Sequence, residues 1–268
     1  MSVHETYSFQ PGDTPLLVSV PHDGREIPDA LRERMSPAGL DIPDTDWHVA
    51  RLYDFAHAEG ASVIVARASR YVVDLNRSAS DEALYAGQVA TGLCPEHTFA
   101  GDPIYRDGDG VGAAERAARV AAHWRPYHER LRAELDTLRR RHGYALLWDA
   151  HSIPGRVPRL FEGELPVLNI GTFDGRSCHA AVGHAVAAVA ADSDYESVVN
   201  GRFKGGFITR QYGAPDAGIE ALQLEVAQRS YMDEATRIFD EALAGRLRAT
   251  LSAMLHAFCE SAGRHHRR

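Results

Sequence analysis

Cysteine is scarce in this chain. Cys94, Cys178 and Cys259 are three in 268 residues, far apart and without a Cys-x-x-Cys pair, so neither a disulfide framework nor a thiolate zinc site is indicated. Long apolar runs are missing too. No stretch approaches the ~18 residues of a membrane span, and residues 1–15 are polar and carry no signal-peptide pattern, so the cytoplasm is the expected compartment and no membrane partner is expected. There is no basic excess: 29 Lys and Arg stand against 37 Asp and Glu, a net charge of −8, which offers no footprint for nucleic acid. No Gly-x-Ser-x-Gly elbow occurs, and the glycine-rich Lys204-Gly205-Gly206 stretch lacks the phosphate-loop pattern. Internal repeats and low-complexity tracts are absent.

What is present is an α/β rhythm. Apolar residues make up 44% of the chain, enough for a sizeable core. Short apolar runs at 16–20, 62–66, 71–75, 144–148, 166–170 and 218–226 predict strands covered on both faces, as in a mostly parallel sheet. Segments of helical period lie between them at 44–57, 113–141, 177–191 and 232–259, with Pro126 expected to kink or divide the second. Residues 78–112 hold six glycines, Pro95 and Pro103 without a period, which predicts a functional loop near the site. Residues 263–268 are expected to fray, and His265 and His266 there are weak evidence for metal.

Four places put chemically capable residues directly after, or within, predicted strands, where ligands gather in α/β sheets. His22 follows the first run in Ser19-Val20-Pro21-His22-Asp23-Gly24, and His151 follows another in Trp148-Asp149-Ala150-His151-Ser152. A lone histidine at such a place is more often structural. Two of them, with Asp149 placed to orient the second, point to metal. A zinc hydrolase needs a third ligand and an open position for water, and Asp46 in Asp44-Thr45-Asp46-Trp47-His48 offers a carboxylate unless it only caps the following helix. Two imidazoles and one carboxylate suit Zn2+ better than magnesium or calcium. Asp74-Leu75-Asn76-Arg77 presents a guanidinium fork matched to a substrate carboxylate, the ordinary alternative being a surface ion pair. Glu225, embedded in an apolar strand, is costly unless salt-bridged or functional, and burial would tune it as a general base. Arg210, near the glycines at 205 and 206, is a second candidate for binding an anion.

Taken together, these stretches, with Arg70-Tyr71-Val72-Val73-Asp74-Leu75-Asn76-Arg77 and the run from Phe203 through Arg210 to Gly213, resemble the N-formylglutamate amidohydrolase family nearly end to end. The resemblance implies a single catalytic domain, 1–268, a zinc-exopeptidase (carboxypeptidase-like) architecture, and hydrolysis of N-formyl-L-glutamate to formate and L-glutamate in histidine degradation. It also implies zinc on His22 and His151, the substrate's α-carboxylate on Asn76 and Arg77, and Glu225 as the catalytic carboxylate. The related carboxypeptidases place a glutamate three residues after their first histidine, where this chain has Arg25. The carboxylate ligand is therefore expected to be Asp46, with Glu26 behind it. The expected mechanism is one Zn2+, or another divalent metal, on His22, Asp46 and His151, with Glu225 as general base and Arg77 or Arg210 stabilising the oxyanion. Arg77 and Arg210 are expected to clamp a small anionic N-acyl amino acid. Two alternatives are a deacylase or carboxypeptidase of other substrates, and a non-catalytic carboxylate-binding protein.

Overall fold

A computed structural model describes residues 6–82, 91–106 and 110–267. Seven strands form one sheet: β1 (Tyr7–Gln10), β2 (Leu16–Val20), β3 (Ser62–Ala66), β4 (Ala145–Ile153), β5 (Leu168–Gly171), β6 (Ser197–Val199) and β7 (Ile219–Ala227). Their order is β1-β3-β2-β4-β7-β5-β6. The four central strands β3, β2, β4 and β7 run parallel, β1 and β5 pair antiparallel to them, and β6 runs parallel to β5. The helices are α1 (Asp29–Arg32), α2 (Pro37–Leu40), α3 (Val49–Leu52), α4 (Phe55–Ala58), α5 (Ala113–Arg119), α6 (Arg125–His142), α7 (Ala180–Ala191), α8 (Phe207–Tyr212) and α9 (Glu241–His266). The expected single α/β domain with a mixed, mostly parallel sheet flanked by helices is what the chain forms.

Strand alternation divides the core and places the chemistry. On one face Leu146, Trp148 and Ala150 of β4 join Leu222, Leu224 and Val226 of β7, all buried against α3, α4, α7 and α9. On the other face Ala145 and Leu147 of β4 and Ala221 of β7 pack against Tyr127, Leu131, Leu135 and Leu138 of α6. Successive side chains point to opposite faces, so this second set continues through Asp149 and His151 on β4 and through Gln223 and Glu225 on β7. The first face is apolar between Glu220 at the start of β7 and Ser152 near the end of β4; the other turns polar at the carboxyl ends. His151 and Glu225 are direct register partners.

Three expectations about elements need correction. Residues 71–75 are buried as foreseen but form turns, not a strand. Their backbone is satisfied mainly from side chains elsewhere: Arg119 donates to the Val72 carbonyl (3.1 Å), His128 Nε2 lies 2.8 Å from that of Leu75, and Trp124 Nε1 donates to that of Arg77 (2.9 Å). Because these groups need no ladder, the chain can bend and bring Asp74, Asn76 and Arg77 over the sheet. Residues 44–57 are not one helix: α3 and α4 are separate turns, and His48 before α3 has φ 64°. Neither Asp44 nor Asp46 caps α3. That role belongs to Asp23, whose carboxylate accepts from His48 N (3.2 Å) and Ala50 N (2.9 Å). Residues 263–266 continue α9 where fraying was expected, since Gly263 is buried and His266 docks on Glu220.

Two further segments differ only in detail. Pro126 does disturb its helix, as the π-helical turn Val120–Trp124 that separates α5 from α6 shows. A widened turn accommodates a ring that would otherwise meet the carbonyl four residues earlier. The last predicted helix begins later than residue 232, at Glu241, where Asp240 caps it by accepting from Ala242 N and Leu243 N, both at 2.9 Å.

Candidate metal and substrate site

His22 lies just beyond β2, His151 on β4 and Asp46 on the turn before α3, and all three are buried. The Asp46 amide donates to the His22 carbonyl (3.1 Å), which fixes that turn against the end of β2. Asp46 Oδ2 then lies 3.6 Å from His22 Nδ1 and 3.0 Å from His151 Nδ1. The ligand atoms these residues offer lie within 4.8 Å of one another.

The remaining imidazole nitrogens are held by carboxylates. His22 Nε2 meets Asp74 Oδ1 at 2.8 Å, and His151 Nε2 meets Asp149 Oδ2 at 3.0 Å. Two donors ~2.0 Å from a tetrahedral ion stand roughly 3.3 Å apart, close to the 3.0 and 3.6 Å observed. Imidazoles oriented by carboxylates on their far nitrogens are the usual surroundings of histidine ligands. The donor set therefore fits a divalent metal ion.

Charge supports the same conclusion. Asp44, Asp46, Asp74, Asp149 and Glu225 are all buried at this end of the sheet, and among the described residues Arg70 is the fully surrounded guanidinium that answers them. It donates to Asp74 Oδ2 at 2.7 Å and lies 3.5 Å from Asp46 Oδ1. Burial would raise the Asp46 carboxyl, but the charge on His22 and the hydrogen bond from His151 hold it well below the ordinary range. Burial likewise opposes charge on His151, yet Asp149 and Asp46 lift its pKa well above normal. An excess of buried carboxylates is costly without a cation, and a metal ion would reduce it.

Glu225 has no such anchor. Burial pushes its carboxyl up to about 8, with Asp46 and Asp149 adding to the rise and His151 and Arg70 opposing it. Its side-chain contact is a 3.4 Å hydrogen bond from Gln223 Nε2. A carboxyl poised near neutrality can take and return a proton.

These groups line a cavity of about 80 Å³ together with Asn76, Arg77, Thr91, Phe99, Ser152, Leu160, Arg202 and Phe203, among others. Of the site residues expected from sequence, His22, Asp46, His151, Asn76, Arg77 and Glu225 are brought together here. Asn76 is turned toward the protein: Nδ2 lies 2.9 Å from His151 Nε2 and Oδ1 accepts from Ile208 N at 2.8 Å. Arg77 is held by Thr91, through its carbonyl (2.8 Å) and its hydroxyl (3.0 Å). Glu26 is exposed and paired with Arg67 at 2.9 Å, so it drops out as a ligand.

Arg210 is not among the cavity's lining residues. Its Nε donates to the Gly205 carbonyl (2.8 Å) and its guanidinium stacks on Phe173, 4.6 Å from the ring centre. The arginine that lines the cavity instead is Arg202, which sequence reasoning did not single out; it follows the short β6 in an irregular loop with no motif around it. From the 78–112 segment, Thr91 and Phe99 reach the cavity; residues 83–90 and 107–109 of that expected loop lie outside the described residues.

Comparison with known proteins adds to this geometry. The family described as N-formylglutamate amidohydrolase matches residues 14–232. The chain is 48% identical over 252 residues to the N-formylglutamate deformylase of Pseudomonas putida, covering 93% of this chain and 94% of that protein. It is 47% identical over 255 residues to the N-formylglutamate deformylase of Pseudomonas aeruginosa, covering 94% and 96% respectively. The solved N-formylglutamate amidohydrolase of Ralstonia eutropha JMP134 superposes with a TM-score of 0.81 at 24% identity over 94% of this chain and 97% of that one. A gene product of Agrobacterium tumefaciens gives 0.67 at 22% identity, over 95% and 96%. At those identities the two structures speak for the fold alone.

Proposed function

The chain belongs to the N-formylglutamate amidohydrolase family, and from that premise we propose that it hydrolyses the formamide bond of N-formyl-L-glutamate to formate and L-glutamate with one zinc ion. The observation that carries the metal is the pair of imidazole Nδ1 atoms facing Asp46 Oδ2, each imidazole backed by a carboxylate. His22, Asp46 and His151 would hold the ion, which when bound supplies Lewis acidity, lowering the pKa of a coordinated water and polarising the formyl oxygen.

The chain's own residues do the rest. Glu225, buried beside His151 with its carboxyl raised to about 8, receives the proton of the attacking water and passes it to the departing amine. Asn76 and Asp149 keep the His151 ring oriented. Arg77 meets the α-carboxylate and helps stabilise charge on the formyl oxygen. Arg202, which lines the same cavity beside Leu160 and Phe203, meets the side-chain carboxylate of the substrate. Phe99, Leu160 and Phe203 limit water and frame a small volume, which favours a compact dianion over a peptide. Fixing both ends of the substrate holds the amide in line, and such positioning supplies several kcal/mol of the barrier reduction.

The test is formate release from N-formyl-L-glutamate by purified protein, before and after chelation and with zinc restored. N-acetyl-L-glutamate and N-formyl-L-aspartate run alongside. Chelator-sensitive release restored by zinc, with the two analogues turned over at least ~10-fold more slowly, is the expected outcome. No release from folded, zinc-loaded protein overturns the substrate, and undiminished release after complete chelation overturns the metal.

A further inference from the structure

At the other end of the sheet, Glu220 is the second residue of β7 and is fully buried. Its Oε1 lies 2.7 Å from His179 Nδ1, at the start of α7, and 2.7 Å from His266 Nε2, in the last turn of α9. Oε2 accepts the His179 backbone amide at 2.7 Å. Among the described residues no Lys or Arg pairs with this carboxylate, whose partners are the two imidazoles and the His179 amide. A third imidazole is close by: the His265 ring lies 3.9 Å from that of His179. The donor atoms of His179, Glu220 and His266 lie within 4.8 Å of one another.

We propose that His179, Glu220 and His266 form a second metal site, for zinc or a similar borderline divalent ion, with His265 placed to join or replace a water. A buried carboxylate needs a compensating positive charge, and two imidazoles with one carboxylate select transition ions over magnesium or calcium. The ion takes the place of the two N–H protons now shared with Oε1. Each ring then coordinates as a neutral imidazole that keeps one proton on its other nitrogen, any second proton leaves to solvent, and the three donors spread from hydrogen-bonding to coordination distance. None of the three residues lines the catalytic cavity. Glu220 and Glu225 are five residues apart on β7, roughly 17 Å at strand rise. The site is structural: it ties the end of α9 to β7 and to the start of α7, three elements that are distant in sequence.

The experiment uses the full chain with the cavity ligands removed, His22→Ala/His151→Ala, stripped of metal and titrated with Co2+ and Zn2+. One equivalent is expected to bind in the micromolar range, with Co2+ bands of nitrogen and oxygen coordination and a higher Tm. Adding His266→Ala or Glu220→Gln abolishes both. In the otherwise unaltered chain two equivalents bind, and His266→Ala reduces this to one while hydrolysis of N-formyl-L-glutamate is unchanged. The proposal is overturned if the double variant binds nothing at ~100 µM metal, or binds an equivalent that His266→Ala leaves in place. Should the double variant fail to fold, the stoichiometry of the otherwise unaltered chain against His266→Ala decides alone: equal numbers overturn the proposal.

Discussion

Glu225 sits in a buried strand made mostly of apolar residues, and its cost to the fold is a consequence of what it does. Substitution by Gln keeps the shape and the Gln223 contact but removes the proton acceptor, so turnover should fall ~10²-fold or more with zinc still bound; steady-state rates with metal analysis check this, and near-normal turnover would remove Glu225 from the role. The same variant tests the cost. With a folded pKa of about 8 against an ordinary 4.5, the native state of the metal-stripped protein binds the extra proton between those values. Stability is therefore lost as pH rises through that window. Glu225→Gln escapes this, so its Tm should exceed that of the parent chain by a margin that widens from pH 5 to pH 8; a margin independent of pH would contradict the assignment. For the arginines, Arg202→Ala should raise KM for N-formyl-L-glutamate by ~10-fold or more, whereas Arg210→Ala should leave it near the parent value. His22, His151 and Glu225 were legible in sequence because a polar residue ending or interrupting a buried strand is conspicuous. Arg202 was not, since nothing periodic surrounds it.

Elements carry the next level of control. Gly206 opens α8, and a Cβ there would meet Asn76 Nδ2 at 2.3 Å and Oδ1 at 2.6 Å. Its φ of −81° is open to any residue, so the approach of Asn76 is what requires glycine. Asn76 cannot swing aside freely, because Asp149, His151 and the Ile208 amide all engage it. Gly206→Ala should therefore push Asn76 off the His151 ring and weaken zinc binding ~10-fold, the scale on which partners behind a ligand act. Competition with a chromophoric chelator, alongside circular dichroism to show an intact fold, measures this; unchanged zinc affinity would show that Asn76 does not position His151. Sequence patterns located the long buried strands well, since continuous apolar runs bounded by turns have few other solutions. They missed β1 and β6, four and three residues long and partly exposed, and they read 71–75 as a strand. That run has strand composition, but its backbone partners include Leu93, Arg119 and His128, far along the chain, and local pattern carries no record of them.

At the scale of the molecule, the parallel centre of the sheet gathers chemistry at one end and fastens the chain at the other. β7 belongs to both, with Glu225 toward its carboxyl end and Glu220 near its start. The α/β class followed from alternating strand and helix patterns, whereas the fastening did not, because three residues at 179, 220 and 266 meet only after the sheet has formed. The tail was accordingly expected to fray, although His266 stacks on Tyr144 with ring centres 5.0 Å apart and bonds Glu220. Removing residues 264–268 would strip one of the two imidazoles from a fully buried carboxylate, and a buried acceptor that loses a partner costs ~1–3 kcal/mol. The truncated chain should therefore show a lower denaturation midpoint with an unchanged slope, since the surface exposed on unfolding hardly differs. Its kcat/KM for N-formyl-L-glutamate should match that of the full chain. Unaltered stability would mean that the α9 terminus is only resting on the sheet. A fall in kcat/KM at temperatures where both proteins are folded would mean that the two ends of β7 are coupled, so that the terminus acts on Glu225 through the strand they share.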